Sequence, residues 1–138
     1  MMNDKIWPSE CLLGIPEMDN EHCLIVDMIR RLETAEGRPD ALACAFRVVR
    51  DLAGYVTTHF THEEDLLARS GYPDLEAHRE THRRFTEAVA GLSSTADIDH
   101  AKVRVLLADW LRTHVMDMDR RYVPHVQSWL DRRDDGHR

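Results

Sequence analysis

Between Val48 and Leu66 the apolar residues fall at the three- and four-residue intervals of a single helical face, and a histidine and a carboxylate stand in the middle of that face. The stripe is Val48, Leu52, Tyr55, Val56, His59, Glu63 and Leu66. At about 100° per residue, Glu63 lies only about 40° round the axis from His59. A helix that buries this stripe buries an imidazole and an ionised carboxylate with it, which is costly unless something compensates them. A cation is the economical compensation.

The anomaly recurs elsewhere in the chain. Leu75, His78, His82, Phe85 and Val89 share one helical face, so two histidines four residues apart point inward together. Val103, Leu107, Trp110, Leu111, His114 and Met118 make a further inner face, and His22 shares one with Ile25, Val26 and Ile29.

The punctuation between these stretches fixes the expected elements. Trp7, Pro8, Gly14 and Pro16 interrupt residues 1–18 too often for a helix, so an ordered N-terminal arm is expected, with Trp7 and Ile15 pinned to the core. Asp19 or Asn20 is the expected cap of a first helix from about residue 20 to Glu36, stopped by Gly37. Pro39 and Asp40 open the second helix, which Ser70 and Gly71 close. A third runs from Pro73 to near Gly91, and after a polar link over 93–97 a fourth starts at about Asp99. Pro124 is expected to kink or end it, with one more turn over 125–130 and a solvated tail over about 131–138. The expected fold is all-α, an antiparallel up-down-up-down four-helix bundle.

Composition limits the function. A chain of 138 residues, 43% hydrophobic and 31% charged, suits one domain spanning 1–138 with a single core. No apolar run approaches the roughly 18 residues that a membrane span needs, and Pro8, Ser9 and Glu10 interrupt any leader-like stretch after Lys5. The net charge of −7 argues against a nucleic-acid partner. Cys11, Cys23 and Cys44 have neither zinc-type spacing nor an even count, so reduced thiols in a cytoplasmic setting are expected. The nine histidines are scattered rather than tandem, and of these His62, His100, His125 and His137 are expected at the surface.

Imidazole and carboxylate without thiolate suit iron, manganese, zinc, copper or nickel. A zinc-protease helix is excluded because His62-Glu63-Glu64-Asp65-Leu66 has leucine where the second histidine belongs. Di-iron bundles built on Glu-x-x-His are unlike this chain, in which no histidine has a glutamate three residues before it. What the chain presents, in order, is His22, His59-x-x-x-Glu63, His78-x-x-x-His82 and His114-x-x-x-x-Asp119. It adds Gly14-Ile15, Asp19-x-x-His22, His59-Phe60-x-x-Glu63-Glu64, Gly71-Tyr72-Pro73, Trp110-Leu111-x-x-His114 and Asp119-x-x-Tyr122. From Trp7 to about Tyr122 this constellation resembles the hemerythrin family, and more narrowly its bacterial single-domain members.

The resemblance implies a non-haem centre of two Fe ions. His78, His82 and His114 would bind one iron, His22 and His59 the other, and Glu63 and Asp119 would bridge both beside an oxo or hydroxo bridge from solvent. The iron with fewer histidines keeps a vacancy, and O2 would bind there and leave unchanged, with no enzymatic turnover. Phe60, Trp110, Leu111 and Val115 match the family's O2-pocket positions. The implied role is O2 carriage, storage or delivery to an oxygen-using partner. The alternative is O2 or redox sensing through a separate signalling partner, which a complex broken by a change of iron redox state would favour.

Two positions sit awkwardly in this scheme. Asp119 is five residues from His114, about 140° round a regular helix, whereas Asp117 lies nearer the histidine's face. The resemblance selects Asp119, which requires a local distortion or a long reach. Glu21 stands where relatives usually carry glutamine, a departure expected to alter the surroundings of His22.

Overall fold

Pro16 at the first helical position opens the first helix of the computed structural model, which describes residues 13–94 and 98–136. This helix, α1 (Pro16–Ala35), begins earlier than the expected start near residue 20, and neither Asp19 nor Asn20 caps it. Proline is suited to that position, where its missing N–H would have no helical partner. The Asp19 carboxylate instead turns back and accepts hydrogen bonds from the backbone N–H of Leu13 (2.7 Å) and Gly14 (3.1 Å). It thereby ties the entering chain to the helix, with Leu13 and Ile15 buried. Trp7 and Cys11 lie outside the described residues.

Helix α2 (Ala41–Arg69) carries the long interrupted stripe. It ends in a glycine-dependent cap: the N–H of Tyr72 donates to the Leu67 carbonyl (3.0 Å) and that of Gly71 to the Ala68 carbonyl (3.1 Å). That pairing needs a left-handed residue between helix and exit, and Gly71 supplies it at φ 72. Helix α3 (Leu75–Ser94) follows, and α4 (His100–Trp110) starts on Asp99, whose side chain accepts from the N–H of Ala101 at 2.8 Å.

The final helical run departs from expectation. After α4 the backbone widens into a π-helical stretch over Leu111–Asp119, then tightens into α5 (Arg120–Gly136). Pro124 lies inside α5 and does not end it. The expected solvated tail is therefore helical as far as Gly136, with residues 131–133 exposed. The described residues contain no strand, and none of their helices is long and apolar enough to cross a membrane.

Two apolar clusters hold the helices together. The larger includes Ile25, Val56, Phe60, Phe85, Leu111 and Val115. The smaller includes Ile15, Met18, Leu66, Leu67, Tyr122 and Val126, with Leu75 packed against it. Helices α1, α2 and α3, and the continuous run from α4 through the π-helical stretch into α5, each pass from one cluster to the other. His22 follows Met18 and precedes Ile25; Glu63 follows Phe60 and precedes Leu66; His78 and His82 lie between Leu75 and Phe85; Asp119 lies between Val115 and Tyr122. The polar side chains thus form a layer between two apolar ones.

Candidate metal centre

Helical periodicity puts the paired residues on common faces. On α2, His59 and Glu63 are one turn apart, as are His78 and His82 on α3. His22 comes from α1, and all seven of His22, His59, Glu63, His78, His82, His114 and Asp119 are at most 2% exposed. Asp119 reaches this layer because the backbone from Leu111 onward is π-helical. With i→i+5 bonding, residues five apart stack one turn above another, so His114 and Asp119 share the inner face and Asp117 is left exposed beside Arg121.

The carboxylates lie between two groups of imidazoles. Glu63 Oε1 is 2.8 Å from His78 Nε2 and 2.9 Å from His82 Nε2, while Oε2 is 3.6 Å from His59 Nε2 and 3.7 Å from His22 Nε2. Asp119 repeats the division. Its Oδ1 is 2.9 Å from both His78 Nε2 and His114 Nε2, and its Oδ2 is 3.2 Å from His22 Nε2. Two adjoining donor sets result, Glu63–His78–His82–His114–Asp119 and His22–His59–Glu63–Asp119, with the donor atoms of each set within 4.8 Å of one another. The two carboxylates belong to both.

A further shell orients the imidazoles. His59 Nδ1 lies 2.7 Å from Glu21 Oε1, and His82 Nδ1 lies 2.8 Å from Glu64 Oε2. A ring nitrogen that close to a carboxylate oxygen carries the proton and donates it, which leaves each Nε2 lone pair facing the cluster. Tyr122 donates its hydroxyl to Glu63 Oε2 at 2.9 Å. The sequence pattern assigns no role to Glu64 or Tyr122 and places Glu21 beside His22, whereas Glu21 serves His59 and, at 2.7 Å, the exposed His62. The available signal was adjacency, since Glu21 and Glu64 each follow or precede a cluster residue directly.

The protein atoms alone leave this layer poorly satisfied. His22 Nδ1 and His114 Nδ1 are buried without a hydrogen bond, and His22 Nε2 and both Asp119 oxygens meet only in close ion-pair contacts that fall short of hydrogen-bond geometry; a buried polar group left unsatisfied costs about 1–3 kcal/mol. Burial pushes the His22 and His78 pKa values down, but the Asp119 and Glu63 carboxylates overcome it and raise both to about 9. Burial likewise opposes ionisation of Glu63, yet the surrounding imidazoles, His114 foremost, hold its pKa well below the usual carboxylate range. Asp119 is also held low, against its own burial and the neighbouring Glu63 charge. For His59 burial prevails and its pKa falls. Buried carboxylates that stay ionised among imidazoles, with no thiolate present, are the donor set of a nitrogen- and oxygen-ligated metal ion.

The four apolar positions are all buried. Phe60 stacks on His82 at 3.8 Å between ring centres, and Trp110 stacks on His114 at 3.9 Å. These two rings therefore lie on the larger donor set, whereas Tyr55 stacks on His59 at 5.1 Å on the smaller one. Leu111 and Val115 belong to the same apolar cluster as Phe60 and Trp110. His100 and His125 are not simple surface residues. Both are half-buried, and they donate to the carbonyls of Leu32 (2.6 Å) and Ser70 (2.7 Å).

Fold and site together define an all-helical protein with a buried histidine–carboxylate metal site. Residues 13–126 match the family model of the hemerythrin HHE cation binding domain, and the chain belongs to the hemerythrin family. It is 32% identical over 126 residues to a bacteriohemerythrin of Pseudomonas aeruginosa, covering 88% of this chain and 81% of the relative. A bacteriohemerythrin of Stenotrophomonas maltophilia is 28% identical over 130 residues (91% of this chain, 84% of the relative). A hemerythrin-like protein of Naegleria gruberi is 28% identical over 116 residues (84% and 88%).

Proposed function

We propose that the protein binds O2 reversibly at a pair of non-haem irons, as a carrier, store or delivery protein rather than an enzyme. The observation that carries this reading is the division of the two carboxylates: one oxygen of each faces His78, His82 or His114 and the other faces His22 or His59. His78, His82 and His114 would hold one iron, His22 and His59 the other, and Glu63 and Asp119 would bridge them. An iron pair held there would supply the redox chemistry for reversible O2 binding.

The chain's own residues do the remaining work. Glu21 and Glu64 fix the tautomers of His59 and His82, and Tyr122 steadies Glu63. The set with two histidines has one nitrogen donor fewer, which leaves space for a ligand from outside. Phe60 and Trp110 would shield the larger set on which they stack, and Leu111 and Val115, in the same apolar cluster, would help to keep the O2 pocket dry and so slow loss to the oxidised state. The alternating order in which the helices meet the two apolar clusters supports an up-down-up-down bundle. Cys23 and Cys44 as free thiols fit a cytoplasmic setting.

The test is metal analysis combined with absorption spectroscopy under anaerobic control. The reading requires two irons per chain and a visible charge-transfer band that appears with air and disappears on deoxygenation. A protein purified with one zinc per chain, or one that turns over a substrate at the site, would replace it.

A further inference from the structure

Along the C-terminal turns of α1, on the side of His22 away from the N-terminus, the surface opens into a cleft of about 420 Å³ between α1 and the start of α2. Four arginines line it: Arg30, Arg31, Arg38 and Arg47. The chain as a whole has 18 basic residues against 25 acidic ones, whereas the lining carries four arginines beside Asp27 and Asp40, with Asp51 paired to Arg31. Such a local reversal of charge focuses a positive potential in a concave place.

Two features favour an anion over a solvated surface. Among the described residues, neither Arg38 nor Arg47 has a carboxylate within ion-pairing distance, although both stand in a strongly acidic protein. Arg31 by contrast is paired through Nη1 with Asp51 at 3.0 Å. The cleft also abuts the N-terminus of the 29-residue helix α2, where the Asp40 side chain makes no capping hydrogen bond. First-turn N–H groups and guanidinium forks are both donors matched to a phosphate group.

We propose that this cleft is a binding site for a small phosphate-bearing anion, separate from the metal centre. Its volume lies within the range of about 300–1,000 Å³ typical of small-molecule sites, which admits a body larger than phosphate alone. On α1 the lining begins at Asp27, five residues beyond His22, and Arg31 follows His22 by nine, so the guanidinium-bearing part of the cleft is roughly 13 Å along the helix from the metal layer. Occupation therefore leaves the metal ligands untouched.

The test uses the full-length, metal-loaded protein at fixed ionic strength, titrated by calorimetry with inorganic phosphate, with ATP and with sodium chloride. Saturable binding of phosphate or ATP is expected, and chloride is expected to give none. Tighter binding of ATP would identify a nucleotide-sized ligand; binding of phosphate alone would identify the bare ion. Arg38→Gln and Arg47→Gln should each weaken binding about tenfold through loss of a charge-assisted hydrogen bond. Asp40→Asn should tighten it, a gain that damage to the fold does not produce. Metal content should be unchanged in all three variants. No saturable binding, equal response to chloride, indifference to both arginine substitutions, or weaker binding in Asp40→Asn would each overturn the proposal.

Discussion

Stripping the metal leaves protons as the only counter-charge for Glu63 and Asp119, and raising the pH then removes those as well. In the metal-free protein the His22 and His78 pKa values rise from 6.5 to about 9. At 1.36 kcal/mol per pH unit, each shift is worth about 3 kcal/mol. Both depend on the same two carboxylates, so their joint contribution lies between about 3 and 6 kcal/mol. The folded state holds more protons than the unfolded chain between pH 6.5 and 9, so stability falls as pH rises through that window. It is fully present below pH 6.5 and gone above about pH 9. His114 acts in the same direction, whereas His59, its pKa lowered by burial, costs stability only on the acid side of 6.5. Thermal unfolding of chelated protein, followed by circular dichroism, should show Tm dropping by at least about 10 °C between pH 6.5 and 9.5. Reloading the metal should flatten the curve, since the cation replaces the protons. A metal-free Tm that does not change across this window would refute the claim that the carboxylates and imidazoles form one compact cluster.

Three substitutions extend the account. Asp119→Ala should abolish metal-pair binding while Asp117→Ala retains it, measured as iron per chain; the opposite outcome would mean that Asp117 is the ligand. Leu111→Ala and Leu111→Tyr should both alter the rate of autoxidation with iron content unchanged, and unaltered rates in both would remove Leu111 from the pocket. Tyr122→Phe leaves Glu63 Oε2 without its 2.9 Å donor in a fully buried place, so unfolding free energy should fall by about 1–3 kcal/mol. A loss below about 0.3 kcal/mol in denaturant titration would show that the hydroxyl does not support Glu63.

The histidine pairs were legible because a four-residue interval and the helical period together oblige both rings to face one way. His59, Glu63, His78 and His82 follow from that alone. Asp119 does not, because a regular helix would turn it away from His114. Nothing in Leu111–Asp119 signals a π-helical backbone, and the family resemblance alone selects Asp119, the aspartate that the structure buries in the cluster. The start of α1 was misjudged because Asp19 has the chemistry of a cap but uses it on Leu13 and Gly14, while Pro16 already occupied the first helical position. His100 and His125 are expected at the surface because a ring that bonds a carbonyl 68 or 55 residues away leaves no spacing pattern. Pro124 predicts a kink or an end to the last helix, and α5 does not end there but continues to Gly136.

Oxygen uptake by the reduced, iron-loaded protein is the most direct test of the central claim. Titrated anaerobically with O2, it should take up one molecule per two irons and return it when the gas phase is replaced by argon, over repeated cycles. Uptake of none, or consumption that is not recovered on deoxygenation, would contradict a reversible site built from His22, His59, Glu63, His78, His82, His114 and Asp119.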